Sequence, residues 1–167
     1  KEYIRHTIKQ RPEIISRNSL SPLNIKAPGT CGELMIVAFY DQDFLVNCPI
    51  NLFSYAELQP VENSGQQLTN VNRYTKIRDT ILLAAEEYLI KNNHQITINS
   101  DIPRGKGMAS SSADISAAFE AVCRHYDISL TPETFAHIVT EIEPSDCVNF
   151  LGVSRINHLT GSLYESF

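Results

Sequence analysis

The chain has 167 residues, enough for one compact domain with a real core. Its 43% hydrophobic and 20% charged residues are those of a soluble globular protein, and no apolar run approaches the length of a membrane span. A net charge of −5 argues against a nucleic-acid partner, while the scattered Cys31, Cys48, Cys123 and Cys147 predict reduced thiols in a cytoplasmic protein rather than a zinc site.

The first 22 residues hold five of the 14 basic residues and two of the 19 acidic ones, with Pro12 and Pro22 as breaks. They read as a basic arm or as a short helix or tether that packs through Ile4, Ile8, Ile14 and Ile15. From Leu23 the pattern is mixed α and β. Leu23–Ala27, Glu33–Tyr40, Phe44–Cys48 and Phe53–Leu58 have strand patterns, with Asp41-Gln42-Asp43 as a hairpin turn. Pro60 to Asn72 is polar and reads as a loop. Tyr74–Lys91 is predicted helical, with Ile77, Ile81, Leu82, Ala85, Tyr88 and Leu89 along one side. Gln95–Ser100 alternates as a strand, and Ile115, Phe119, Val122 and Tyr126 recur at helical spacing. Thr131-Pro132-Glu133 is a helix start, a capping threonine followed by proline at the first helical position. That helix runs to about Ile142, and the tail alternates through Val148–Val153 and Ser162–Phe167. The five histidines share no spacing that suggests a ligand set.

Between the strand at 95–100 and the helix after it lies Ile102-Pro103-Arg104-Gly105-Lys106-Gly107-Met108-Ala109-Ser110-Ser111-Ser112-Ala113-Asp114. Strand, glycine-rich turn and helix N-terminus in that order make an anion site, because glycine lets the backbone approach closely and the first helical N–H groups lack intrahelical partners. Phosphate is the natural ligand. The loop is neither a Walker A motif, since Lys106 is followed by Gly107, nor a dinucleotide fingerprint, since the third glycine is missing. The plainer alternative is a loop in which Ser110, Ser111 or Ser112 caps the helix and Asp114 adds a first-turn charge.

Two further segments carry chemistry. Ala27-Pro28-Gly29-Thr30-Cys31-Gly32-Glu33-Leu34 interrupts a strand with a Pro-Gly step and, taken alone, is a hairpin or bulge. In Glu143-Pro144-Ser145-Asp146 a proline stops a helix, so that two carboxylates project from a rigid corner. The neighbours Val139, Ile142, Cys147, Val148 and Phe150 are apolar. Carboxylates there need a partner, which Mg²⁺ or a substrate proton would supply; the plainer alternative is a solvated acidic turn.

Together the three segments resemble the GHMP kinase superfamily, whose phosphate-loop motif reads roughly Pro-x-x-x-Gly-Leu-x-Ser-Ser-Ala. Pro103, Gly107, Met108, Ser110, Ser111 and Ala113 follow it, with Met for Leu and one serine inserted before Ala. Within the superfamily the L-threonine kinase branch is similar at Cys31–Leu34, at Leu45-Val46-x-Cys48-Pro49, at Lys106–Ser111 and at Glu143–Asp146. The resemblance runs from about Ala27 to Phe150. It implies an α+β fold like domain 2 of ribosomal protein S5, with a mixed or mostly antiparallel sheet and helices on one face, near 74–92, 111–126 and 132–142. It implies ATP and Mg²⁺ as cofactors and a small-molecule hydroxyl as acceptor, L-threonine first, in the context of cobalamin synthesis. Another GHMP substrate such as homoserine, or a nucleotide-binding module without catalysis, are the alternatives.

By the same resemblance, Pro103, Arg104, Gly105, Lys106, Gly107, Met108, Ala109, Ser110, Ser111 and Ser112 would bind ATP, with the backbone from Gly105 to Ser112 cradling its phosphates. Ser111 and Glu143 would bind Mg²⁺. Asp146 would face the acceptor hydroxyl as base or orienting group, and Thr30, Cys31, Gly32 and Glu33 would contact the acceptor. Many superfamily members carry a basic residue where this chain has Thr30, which leaves Arg104 and Lys106 as the nearest cations to the loop. Met35-Ile36-Val37 is more apolar than the family pattern. The expected organisation is a basic arm at 1–22 and an N-terminal ATP-binding domain at 23–167, without the family's C-terminal domain.

Overall fold

A computed structural model describes residues 23–31, 35–39, 42–60, 75–88, 94–146 and 148–167. The basic arm, Gly32, Glu33, Leu34, most of the 60–72 loop, Leu89 and Cys147 lie outside them. Strands β1 (Leu23–Thr30), β2 (Met35–Phe39), β3 (Gln42–Asn47) and β4 (Pro49–Pro60) come first. Helix α1 (Thr75–Tyr88), strand β5 (His94–Ser100), helices α2 (Ser110–His125) and α3 (Pro132–Thr140), and strands β6 (Ser154–Ile156) and β7 (Leu163–Ser166) complete the order.

As the α+β expectation has it, the pairing is antiparallel, and among the described residues it divides into two sheets, β1-β4-β5 and β2-β3-β6-β7. The division falls at Cys48, between β3 and β4, where the chain leaves one sheet and enters the other. Gln42 and Asp43 belong to β3 rather than to the turn, since Phe39 pairs with Gln42 and Ala38 with Asp43. Strand β4 is longer than its apolar pattern indicates because it is the central strand, paired with β1 on one side and β5 on the other. The Val148–Val153 segment is not a strand. It turns through Gly152 (φ 71°), and the short β6 follows it.

Period-2 alternation fixes which face of β1-β4-β5 is covered. Ser54, Ala56 and Leu58 of β4 are buried, as are Ala27 and Ile96, whereas Tyr55, Lys26 and Thr97 on the other face are exposed. Helix α2 lies on the covered face. Alanines 113, 117, 118 and 121 are all at 0% exposure, together with Phe119. These small side chains let α2 approach the sheet on one side and other helices on the other, so it is buried around most of its circumference. Ile77, Ile81 and Ala84 bring α1 into the same core, and α3 joins it through Phe135, whose ring centroid is 4.9 Å from that of Phe119. A smaller cluster of Leu45, Ala136, Phe150 and Ile156 joins the second sheet to α3.

The helix signals of the sequence translate into contacts. The Thr131 hydroxyl accepts from Thr134 N–H at 3.2 Å, and Pro132 follows it. Helix α1 buries Ala84 in addition to the two isoleucines, while Leu83 is largely exposed.

Candidate active site

Strand β5 delivers the chain to the glycine-rich loop, and Ile102, 3% exposed, anchors the loop's start in the core. Pro103, Arg104, Gly105, Lys106 and Gly107 are exposed; Met108 and Ala109 then turn back toward the protein. Gly105, Gly107 and Ala109 all have positive φ (66°, 66° and 57°). Left-handed residues at alternate positions turn successive backbone N–H groups toward a shared concavity, which suits an anion. Two of the three are glycines, the residue that adopts this conformation without cost.

Helix α2 begins at this concavity with its cap site held by Ala109 and no side-chain capping bond. The first intrahelical bond is Ala113 N–H to the Ala109 carbonyl at 2.9 Å, so the N–H groups of Ser110, Ser111 and Ser112 precede it. The three serines do not cap the helix, and Asp114 is not a first-turn surface charge. Asp114 is 2% exposed, accepts from the Ser54 hydroxyl at 2.5 Å, and pairs with Arg104 at 3.0 Å. Arg104 therefore buckles the loop to helix and sheet. Burial pushes the Asp114 carboxyl above its usual range, and the Ser54 hydrogen bond and the Arg104 charge only partly offset this.

The acidic corner after α3 lies against the first turn of α2. The Ser111 hydroxyl donates to Glu143 Oε1 at 2.8 Å, and Lys76 from the start of α1 contacts Glu143 Oε2. The carboxylate expected to need an external partner thus has two within the protein. Asp146 meets the loop-helix junction through its backbone N–H, which donates to Ser112 Oγ at 3.4 Å, and its carbonyl accepts from the Asn47 side-chain amide. Ser145 N–H donates to the His158 carbonyl at 3.0 Å.

Strand β1 closes the loop from behind. Its Pro28–Gly29 step is a bulge within the strand, with the β4 register shifting between Pro28 and Thr30. Thr30 N–H donates to the Met108 carbonyl at 3.3 Å. Thr30 itself is fully buried, its hydroxyl without a partner among the described residues. A residue so buried braces the loop from β1. Cys31 is exposed, with its N–H donating to the Cys48 carbonyl at 2.7 Å. Gly32 and Glu33 lie outside the described residues.

Ser111 Oγ and Glu143 supply two hard oxygen donors side by side, a set that fits Mg²⁺. Among the described residues no cluster of three or more His, Cys, Asp or Glu forms. A cation here would draw the rest of its shell from nucleotide and water, as Mg²⁺ commonly does. Lys76, Asn47 and the Asp114–Ser54 pair were not singled out by the sequence. Lys76 and Glu143 stand 67 residues apart with no motif linking them.

Residues 75–151 match the model of the GHMP kinases N terminal domain. Over that stretch the chain is similar to the GHMP kinase family. It is 30% identical to the L-threonine kinase of Citrobacter freundii over 139 residues, covering 82% of this chain and 47% of that protein. The L-threonine kinase of Salmonella typhimurium is likewise 30% identical, over 80% of this chain and 44% of its own length. The chain thus spans just under half the length of these relatives. Among solved structures, the Methanococcus jannaschii mevalonate kinase shares the fold at a TM-score of 0.67 and 16% identity, over 90% of this chain and 56% of that one. The mevalonate pyrophosphate decarboxylase of Streptococcus pyogenes does so at 0.66 and 15%, over 89% and 51%. The fold hosts more than one reaction, so chemistry has to be argued from the site. Among the described residues no helix is long and apolar enough to cross a membrane.

Proposed function

We propose that this protein is an ATP-dependent kinase acting on a small-molecule hydroxyl, with L-threonine as acceptor and O-phospho-L-threonine as product. The observation that carries the reading is the junction of Ser111 and Glu143 beside the uncapped start of α2. The similarity to two L-threonine kinases supports the choice of acceptor. The resemblance stated above connects that product to cobalamin synthesis.

Phosphoryl transfer asks a protein for positioning and charge neutralisation more than for covalent chemistry. In this reading the N–H groups from Gly105 to Ser112 hold the nucleotide phosphates. Mg²⁺ held by Ser111 and Glu143 would neutralise charge on the phosphate oxygens. The acceptor oxygen forms the new bond to the γ-phosphorus as the bond to the bridging β–γ oxygen breaks, and ADP leaves. The acceptor's proton passes to the Asp146 carboxylate. Arg104, tied to Asp114, stiffens the loop, and Lys106 is the exposed cation beside it.

ADP release measured with L-threonine, L-homoserine and other small alcohols tests the proposal. Turnover restricted to L-threonine supports it. Turnover with a different alcohol alone retains the kinase and replaces the acceptor; nucleotide binding without turnover on any alcohol overturns the catalytic reading.

A further inference from the structure

We propose that Asn47, at the end of β3 in the second sheet, is a positioning residue that sets the place of Asp146. The inference rests on the reading of Asp146 as the group facing the acceptor hydroxyl. Asn47 is 2% exposed and pairs in register with Ser154 of β6, itself at 0%. The Ser154 hydroxyl bonds Asn47 Oδ1 at 2.7 Å, and Asn47 Nδ2 donates to the Asp146 carbonyl.

The direction of this relay follows from its end point. A backbone carbonyl only accepts, so the amide nitrogen must face Asp146. The amide oxygen then faces Ser154, and that hydroxyl must donate. Every polar atom in the chain of contacts has one orientation. On the other side of Asp146, the bond from its N–H to Ser112 Oγ is 3.4 Å long, well beyond the usual 2.9–3.0 Å for N–H···O. The Ser112 bond is therefore weak, and Asn47 adds an attachment on the carbonyl side of Asp146. With Ser145 N–H fixed to the His158 carbonyl, the two residues after Pro144 are pinned from β3, α2 and the β6–β7 turn.

Stability alone does not account for the amide. Asn47 sits next to an apolar cluster that includes Leu45, Phe150 and Ile156. Burying an amide there gains little even when its bonds are made, and an apolar side chain of similar size would fill the space without a bonding requirement. What the amide adds is a fixed carbonyl at Asp146, and hence a fixed origin for its side chain. This gives the second sheet a task at a site otherwise built on the first sheet and the helices.

Asn47→Leu keeps the branched side-chain skeleton and removes both bonds. In the intact enzyme kcat is expected to fall by about 10- to 100-fold, the scale of a misplacement near 1 Å. The KM and Kd for ATP should stay within about twofold, because the phosphate loop does not depend on Asn47. Combined with Asp146→Asn, Asn47→Leu should cost nothing further, since both act through one carboxylate. Wild-type kcat in a cooperatively folding Asn47→Leu variant, or a loss that adds to that of Asp146→Asn, overturns the positioning role while leaving Asp146 in place. If Asn47→Leu does not fold, Ser154→Ala, which frees the amide to turn, should lower kcat severalfold at constant KM for ATP; wild-type kcat there overturns the role. Wild-type turnover by Asp146→Asn overturns the reading of Asp146 itself, and this inference with it.

Discussion

A Cβ added to Gly29 would lie 2.8 Å from the Met108 carbonyl oxygen and 3.1 Å from Ile102 Cδ1. Strand β1 and the glycine-rich loop therefore meet backbone to backbone, and only glycine permits that approach. Gly29→Ala must push the loop off the strand, against backbone that cannot swing aside. The expected cost is about 1–3 kcal/mol, the range for overpacking a well-filled site, read from the urea midpoint. The same shift moves Met108 and the residues that lead into α2, so the Kd for nucleotide should rise. Wild-type stability in Gly29→Ala would mean that the strand and loop separate freely.

Lys76 and Ser111 share the Glu143 carboxylate, one on each oxygen. If Glu143 and Ser111 hold Mg²⁺, then Lys76 competes with it. Glu143→Gln and Ser111→Ala should raise the Mg²⁺ concentration needed for half-maximal rate and also lower the rate. Lys76→Met should act in the opposite direction on the Mg²⁺ requirement. The Lys76 side chain is 51% exposed, and exposed pairs are worth at most about 1 kcal/mol, so the shift is at most about fivefold. Mg²⁺ titrations of the three variants check this. A shift of the same sign in all three would exclude competition at Glu143.

The parts of this arrangement that were legible in the sequence are those encoded locally. Thr131-Pro132 announces a helix start, Ile115, Phe119 and Val122 mark the buried side of α2, and the alternation in β4 and β5 gives their covered face. The glycines at 105 and 107 signal a loop that needs positive φ. What was not legible depends on pairs distant in sequence. The hydrophobic pattern is the same whether β3 continues into one sheet or β4 begins another. The partner of a buried carboxylate such as Asp114 is decided by where β4 brings Ser54, 60 residues earlier. Ala109, with no side chain suited to its positive φ or to capping, gives no sign of its place at the helix start. The burial of Thr30 is likewise not announced by the Pro-Gly step that precedes it.

In the proposed mechanism, Asp146→Asn preserves size and removes the charge that would take up or orient the acceptor proton. Turnover should fall by about 10²–10⁴-fold, the usual contribution of a positioned acid–base group. The Kd for ATP should change little, because asparagine retains the backbone N–H that donates to Ser112 Oγ. Steady-state kinetics together with nucleotide titration separate the two effects. Wild-type turnover would reduce Asp146 to a corner residue and require another proton acceptor.

Asp114 makes acid pH a test of the buckle between loop and helix. Its carboxyl is held above the ordinary value of 3.8, with burial as the main cause. As pH rises through that value the unfolded chain releases this proton first. Until the folded protein also releases it, the folded state binds more protons, and stability falls with rising pH. Above the folded-state value both forms are ionised and the contribution is level. The difference in unfolding free energy between wild type and Asp114→Asn should therefore decline from about pH 4 upward and then flatten. Arg104→Met removes a charge that pulls the Asp114 value down, so the decline should extend to higher pH in that background. Urea midpoints across the acid range measure both. A difference that increases with pH would mean that Arg104 and Ser54 together outweigh burial, and Asp114 would then be an ordinary stabilised carboxylate.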